Sequence, residues 1–469
     1  MARIVTDICV IGAGSGGLSV AAGAVQMGAR VVLVEGAAMG GDCLNTGCVP
    51  SKALLAAAKA AQAMRDGAGF GVLPVEPLVD FGAVQDHVAR VIAAIAPTDS
   101  QERFEALGVR VIRAWGRFAS PTELEAGGDI IAARRFVIAT GSQALVPPIP
   151  GLELVPYFTN ETIFALRARP EHLVIIGGGP IGMELAQAHR RLGSAVTVIE
   201  AARALGRDDA EAAALVVDQL RAEGVTVLEG GTVTGVAGSV TVALKDGRRV
   251  AGSHLLLASG RKVALERLNL AAAGVAFTRI GVTVDTRLRS TNRRIHAVGD
   301  AAGGLQFTHV AGYHAGIVLR QAVLGLPARA RTDHIPRVTY TDPELAQIGP
   351  TEAEARLKHG AALTVQRVEF QHNDRAVTEG RTAGFLKVMI LRGRPIGATI
   401  VGPHAGELIG LWALAIAQGL KLSAIAGMVA PYPTCGEVSK RAAGAYFSPQ
   451  LFDSPMVKRV VRAVQRFLP

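Results

Sequence analysis

The chain has 469 residues, too many for one ordinary core, and roughly two to four domains are expected. Apolar residues make up 49% of it, with 55 Gly and 22 Pro, a balance that suits an α/β enzyme and argues against disorder. The net charge of +10 permits nucleic-acid or membrane-surface attraction and fits an enzyme of phosphate-bearing cofactors equally well, but it is spread along the chain without an aromatic-basic module or zinc-finger spacing, which speaks against a nucleic-acid partner.

The first element is a short apolar run, DICVI at 7–11, entered directly after MARIVT with no signal-peptide layout. It runs into Gly12-Ala13-Gly14-Ser15-Gly16-Gly17, an Ala-rich helical stretch, and RVVLVE ending at Glu35. Strand, glycine turn, helix and strand in that order form a dinucleotide-binding unit. Gly12 permits the tight turn, Gly14 lets a pyrophosphate approach the backbone, Gly17 lets helix pack on strand, and Glu35 accepts ribose hydroxyls.

Next comes GGDCLNTGCVPSK at 40–52, with two of the four cysteines separated by four residues. No apolar run approaches the ~20 residues that span a bilayer, and a cytoplasmic location is expected. There a cysteine pair is catalytic or metal-binding more often than structural. No further Cys or His lies at ligand spacing, which weakens the metal reading. An ideal helix advances ~7.5 Å over five residues, past the ~7 Å Cα limit for a bridge. Cys43 and Cys48 can join only where Asn45, Thr46 and Gly47 distort the backbone. Pro50 suits the first turn of the helix that SKALLAAAKAAQAM continues, and a helix start favours thiolate.

The glycine pattern recurs at 173–200: LVII, the turn Gly177-Gly178-Gly179-Pro180-Ile181-Gly182, a helix from about Met183 to Leu192, and AVTVIE ending at Glu200. Gly177, Gly179 and Gly182 repeat the three roles. A carboxylate at Glu200 bonds a free 2′-hydroxyl and repels a 2′-phosphate, so NAD(H) is expected in preference to NADP(H). Two dinucleotide units flanking a thiol pair suggest electron transfer from nicotinamide through flavin to sulfur, because side chains alone do not accept hydride.

With these segments in hand, the stretch at 40–52 resembles the redox motif of the pyridine nucleotide-disulfide oxidoreductases, which include dihydrolipoamide dehydrogenase, glutathione reductase and mercuric reductase. The resemblance covers nearly the whole chain in order. AWGRF at 114–118, with Gly116, resembles the family's adenine-side turn, and ATGS at 139–142, with Thr140, Gly141 and Ser142, its second flavin segment. HLLLASGR at 254–261 matches the strand closing the nicotinamide domain, with Gly260 in place and Ser259 where Thr is usual. IHAVGDAAG at 295–303 carries Asp300, whose counterpart holds the flavin ribityl chain.

The resemblance implies bound FAD, Cys43 as the outer thiol that attacks substrate, and Cys48 as the inner thiol against the flavin. Lys52 should lie near flavin N5, paired with Glu184; a solvated helix face is the alternative for Glu184. QFTHVAGYHAGI at 306–317 resembles the helix whose start faces the flavin pyrimidine. His309 there is a candidate cofactor contact, although packing or solvation is the commoner role for both His309 and His314.

VTYTDPELAQIG, GFLKVMI, GATIVG and ELIGLWALAIAQGL resemble the family's dimerisation domain. In that family a partner-subunit His, followed five residues later by Glu, serves the outer thiol as acid-base. Here APYPTCGE puts Tyr432 and Glu437 at those places. A phenol of pKa ~10 stays protonated at neutral pH, unlike imidazole near ~6.5, so ordinary dithiol turnover is disfavoured. Mercuric reductases carry Tyr there, yet this chain lacks their C-terminal vicinal cysteines and amino-terminal metal-capturing domain. Cys435 is either an extra soft ligand or a small buried residue, and Cys9 is core. The final PMVKRVVRAVQRFLP places Val457, Val461, Val464 and Leu468 on one stripe, with Lys458, Arg459, Arg462 and Arg466 mostly elsewhere. It is expected to dock on its own dimer or to touch an anionic membrane.

The expected architecture is α/β, with two Rossmann-like dinucleotide-binding domains for FAD and NAD and an α+β C-terminal dimerisation domain. Its parts are an FAD segment at 1–150, an NAD domain at 151–270, a return segment at 271–332, the dimerisation domain at 333–450 and a basic tail at 451–469. The expected assembly is a homodimer sharing its active site. Its electron acceptor is a small molecule or a protein, in mercuric-reductase-like or dihydrolipoamide-dehydrogenase-like chemistry; the alternative is a flavoprotein subunit serving a protein or membrane partner.

Overall fold

A computed structural model describes residues 2–467 and divides them into two compact units: 2–66 with 74–201 and 228–331, and 67–73 with 202–227 and 332–467. In the first unit, β1 (Arg3–Ile11), α1 (Ser15–Gln26) and β2 (Val31–Val34) are followed by two consecutive helices, α2 (Gly41–Asn45) and α3 (Cys48–Arg65). Then come α4 (Phe81–Ile95), β3 (Arg110–Ile112) and β4 (Asp129–Ile138). The strands β3, β2, β1 and β4 run parallel in that spatial order, and β8 (Ile295–Ala297) joins β4, also in parallel. Both faces of such a sheet are covered, which is why β1 and β2 read as nearly unbroken apolar runs. Cys9, in the middle of β1, is fully buried among Phe118, Leu124 and Phe136.

A second parallel sheet is built from β5 (His172–Ile176), β6 (Ala195–Glu200) and β7 (His254–Leu257), with β5 central. The helix α5 (Pro180–Arg191) connects β5 to β6 and starts three residues earlier than the apolar pattern suggests. Pro180 is the reason: its fixed φ suits the first helical position, where a missing N–H costs nothing. The last helix of this unit is α6 (Thr308–Ala322).

The second unit carries an antiparallel sheet in the order β9 (Pro336–Thr339), β10 (Glu344–Ile348), β13 (Arg394–Gly402), β12 (Phe385–Leu391), β11 (Leu363–Glu369). The helices α7 (Ala405–Ala417) and α8 (Glu437–Phe452) contribute to its core, where Trp412, Phe370 and Ile400 are fully buried. The apolar stretch ELIGLWALAIAQGL is thus a core helix. Among the described residues, no helix is long and apolar enough to cross a membrane. The tail forms α9 (Pro455–Phe467).

Candidate active site

The two glycine turns are built alike. Gly12 and Gly177 have φ of 106° and 118°, and a Cβ on either would come within 2.4 Å of a carbonyl oxygen, that of Ala139 or Ala258. These carbonyls belong to the residues just after β4 and β7, so each turn is wedged between the carboxyl ends of neighbouring parallel strands. A Cβ on Gly17 or Gly182 would strike the oxygen of Gly12 or Gly177 at 1.9 or 2.0 Å. Only glycine lets helix and turn approach so closely. Gly14 and Gly179 precede α1 and α5 at their N-caps, where free backbone N–H groups favour an anion. The acids at the strand ends are folded onto these turns. Glu35 accepts from Ala13 N at 2.5 Å and Glu200 from Gly178 N at 2.7 Å.

The thiols sit at a break in a helix. α2 ends at Asn45, Gly47 takes φ −123° and ψ −115°, and Cys48 opens α3. Asn45 Nδ2 donates to the carbonyls of Met39 and Gly41, at 2.9 and 2.8 Å, which ties down the first helix as the chain turns. The distortion required by a five-residue separation is therefore present. The four cysteines are free thiols, and Cys43 and Cys48 lie within hydrogen-bonding reach of each other. Cys48 is held at about 6: the hydrogen bond from Cys43 has the largest effect, and the Thr308 hydroxyl and Lys52 ammonium reinforce it against burial and Glu184. Cys43 moves the other way, far above the ordinary thiol range, through the same shared hydrogen bond and then burial. The pair thus keeps one proton, on Cys43, while Cys48 is the thiolate.

One turn along α3, Lys52 Nζ bonds Glu184 Oε2 of α5 at 2.8 Å. Glu184 is 4% exposed, so the solvated-face alternative does not hold. Thr308, the first residue of α6, places its hydroxyl 3.5 Å from Cys48 Sγ. Its neighbour His309 is exposed and stacks on the Phe307 ring with 5.3 Å between centroids. His314 is buried, accepts from Gly299 N at 3.2 Å, and has its pKa lowered by desolvation; it braces the backbone beside Asp300.

Asp300 is bonded by the Ser142 hydroxyl and pushed up by burial. Gly141, between Thr140 and Ser142, has a left-handed φ of 64°. Thr140 Oγ1 is buried without a hydrogen-bond partner among the described residues, an orphaned hydroxyl at the end of β4. Gly116 is buried against Leu124, whose side chain a Cβ would meet at 3.0 Å. The close-approach turn, the orphaned hydroxyl beside it and the sheltered Asp300 fit a flavin dinucleotide. The second turn, with Glu200 at its strand end and Gly260 at φ 122°, fits a nicotinamide dinucleotide.

In the second unit Tyr432 is 70% exposed and its hydroxyl donates to Asp374 Oδ2 at 3.0 Å. The Asp374 and Glu437 carboxylates both raise the phenol above its ordinary value, Asp374 more strongly. Glu437, the first residue of α8, has one buried carboxylate oxygen without a hydrogen-bond partner among the described residues. Cys435 is 7% exposed within the α7–α8 core, and burial pushes its thiol up; it is the small core residue of the two alternatives. Every residue of α9 lies partly or wholly open, with Met456, Val460, Val461, Val464 and Phe467 exposed; Leu468 lies outside the described residues. At 100° per residue, Met456, Val457, Val460, Val461, Val464 and Phe467 fill one face, and Lys458, Arg459, Arg462 and Arg466 fill the opposite one. Among the described residues no cluster of three or more His, Cys, Asp or Glu is placed to hold a metal ion.

Sequence reasoning missed Thr308, Asp374 and Asn373. Asn373 is fully buried, caps the helix Asp374–Thr378 by accepting from Ala376 N, and donates to Thr434 O at 3.0 Å. It thereby joins the Asp374 helix to the segment that carries Tyr432. The available signal was Asn373 as an N-cap type ahead of a short helix.

The family described as pyridine nucleotide-disulphide oxidoreductase matches residues 6–315, and that family's dimerisation domain matches residues 335–443. A mercuric reductase of Streptomyces lividans is 35% identical over 460 residues, covering 94% of this chain and 96% of its own. A dihydrolipoyl dehydrogenase of Bacillus subtilis (strain 168) is 32% identical over 449 residues, covering 93% and 97%. Among solved structures, the HOCl-induced flavoprotein disulfide reductase RclA from Escherichia coli, seen also as a Cu(II) complex, superposes with a TM-score of 0.83 at 29% identity, covering 93% of this chain and 99% of that one.

Proposed function

Because the chain belongs to the pyridine nucleotide-disulphide oxidoreductase family, as an FAD-dependent enzyme whose dimerisation domain supports a homodimer, we propose that it uses NADH to reduce a soft-metal or thiol-reactive acceptor at Cys43 and Cys48. The observation that carries this reading is the helix break that brings the two thiols together, with Cys48 at about 6 beside the Lys52–Glu184 pair. FAD, held by Gly12, Gly14, Gly17, Glu35, Gly116, Thr140, Gly141, Ser142 and Asp300, supplies two-electron exchange between nicotinamide and sulfur when bound. Cys48 is the inner thiolate, its charge favoured by Thr308 and Lys52. Cys43 keeps the proton and is the outer thiol that meets the acceptor. Glu184 compensates the Lys52 ammonium, and Tyr432 and Glu437 of the partner subunit complete the acceptor site. His309, one residue beyond Thr308 and exposed, would be the residue of this segment to meet the bound cofactor.

A soft acceptor is favoured over a free dithiol because Asp374 and Glu437 raise the exposed Tyr432 phenol above its ordinary value, so at neutral pH it stays protonated and offers no free base to take the thiol proton. Mercuric reductase as a relative and the Cu(II) complex of RclA support the same class. A cytoplasmic setting supplies NADH and keeps Cys9 and Cys435 as thiols. Anaerobic titration with NADH, followed by a screen of Hg(II), Cu(II), lipoamide and quinones, tests the assignment. Turnover with lipoamide alone would reverse the acceptor preference.

Glu200 carries the nicotinamide preference. Losing one charged hydrogen bond is worth ~1.5 kcal/mol or more, so Glu200→Ala should raise KM for NADH about tenfold and narrow its advantage over NADPH. Steady-state kinetics with both nucleotides check this. A wild-type enzyme already favouring NADPH would contradict it.

A second reading concerns location. α9 pairs a wide apolar face with a polar face whose charges are all positive, the pattern of a helix lying in an anionic bilayer surface. We place the flavoenzyme peripherally at such a surface, in reach of a membrane-held electron acceptor. Sedimentation with phosphatidylglycerol and with phosphatidylcholine vesicles should show full-length protein pelleting only with the former, and protein lacking 455–469 with neither. Equal pelleting of both proteins would rule out the membrane role of α9.

A further inference from the structure

Asp42, the residue before Cys43, sits at the centre of a polar chain that links its own segment to Asn160, Arg261, Ser142 and Asp300. Its Oδ1 accepts from Thr46 Oγ1 at 2.5 Å and from Asn160 Nδ2 at 3.1 Å, and its Oδ2 meets Arg261 Nη2 at 2.7 Å. Asn160, which is 7% exposed, donates its second amide proton to Thr46 O at 3.1 Å. Arg261 gives Nε to the Ser142 hydroxyl at 2.7 Å and Nη2 to the Ser142 carbonyl at 2.8 Å, while the Ser142 hydroxyl donates onward to Asp300. Donors and acceptors alternate without conflict from Thr46 to Asp300. The Arg261 side chain is 14% exposed, so water competes little for these bonds.

From this geometry we propose that Asp42 and Arg261 are positioning residues, forming a latch that couples the separation of Cys43 and Cys48 to the flavin-side segment carrying Ser142 and Asp300. Asp42 and Asn160 together pin both the hydroxyl and the carbonyl of Thr46, the residue at which the helix breaks between the two thiols. A thiol pair held at this break has a high effective concentration, which favours the disulfide; closing the thiol–thiolate pair forms the S–S bond and gives up two electrons and the one Cys43 proton, which oxidised dithiothreitol in a redox buffer takes up as its own S–S bond breaks. Arg261 transmits the same constraint to Ser142, so ordering at Asp300 and ordering at Thr46 reinforce each other. The latch rests on the reading of Cys43 and Cys48 as the redox pair.

The flavin-loaded enzyme and its Asp42→Ala, Arg261→Gln and doubly substituted variants are equilibrated in dithiothreitol redox buffers. The Cys43–Cys48 state is counted by mass-tag alkylation, and release of FAD is followed by fluorescence. Each single variant should shift the couple about tenfold toward dithiol, about 30 mV, and release FAD faster, and the double variant should be no worse than either single. Asp42→Asn, which keeps shape and loses charge, should give a smaller shift in the same direction and serves if Asp42→Ala folds poorly. Unchanged couples in the single variants, or full additivity in the double, would overturn the latch. If instead Cys43 and Cys48 never interconvert with NADH in the wild type, the proposed function fails and not the latch alone.

Discussion

Cys48→Ser is expected to leave a folded, flavin-binding protein whose NADH-driven reduction of acceptor falls by roughly 10³-fold or more, since the two sulfurs act as one unit and neither half suffices. A serine hydroxyl forms no bond to Cys43 and holds no electron pair for it. Cys43→Ala should be as damaging to turnover and should carry a second signature. The hydrogen bond from Cys43 is the largest influence holding Cys48 near 6, so its loss moves Cys48 back toward the ordinary thiol range of ~8.5. In reduced wild-type enzyme Cys48 is thiolate above about pH 6 and loses that form as pH falls through it. Iodoacetamide alkylation of Cys48 against pH should show a midpoint near 6 in the wild type and a higher one in Cys43→Ala, which removes the donor. Identical profiles would mean that the thiols do not share a proton, and retained turnover in Cys48→Ser would remove the redox pair from the mechanism.

Tyr432→His should raise NAD⁺ reduction with dihydrolipoamide near neutral pH by ~10²-fold, the lower end of general acid-base catalysis. The structural reason lies on both sides of the missing proton transfer. Cys43 is pushed well above the ordinary thiol range and needs a base, while Asp374 and Glu437 hold the Tyr432 phenol above its own ordinary value. An imidazole among those carboxylates has its pKa raised as well, so it is a base only once pH has risen through that value, and the gain should grow from mildly acidic toward mildly alkaline pH. Initial rates over that range test this. A flat profile at wild-type rate would remove the base argument and leave Tyr432 with a different task, such as covering a bound metal ion.

Much of this site was legible from local sequence. The glycine turns, the acids Glu35 and Glu200 and the break at Thr46-Gly47 are decided within some thirty residues of chain, where steric rules act directly. The Lys52–Glu184 pair, 132 positions apart, came from the family resemblance rather than from spacing. No local pattern announces the Thr308 contact to Cys48 across 260 positions, the Tyr432 bond to Asp374 across 58, or the Arg261 grip on Asp42. Those are set by how strands and helices pack, and residues such as Thr308 carry no periodic signal. The start of α5 at Pro180 shows the opposite limit: apolar spacing marks where a helix is buried, whereas its first residue depends on proline geometry. Cys435 illustrates a third, because a thiol near chemistry and a thiol in a core look identical until its neighbours are known.

The twin collisions at Gly17 and Gly182 restrict where this enzyme is free to change. With 1.9 and 2.0 Å between a hypothetical methyl and the carbonyl facing it, neither glycine turn admits even the smallest side chain. Novelty in what is reduced must then be written outside these turns, on open ground such as the segment around Tyr432. A lineage could retune its appetite for metals or thiols there by single exchanges while the machinery that handles nucleotides stays untouched.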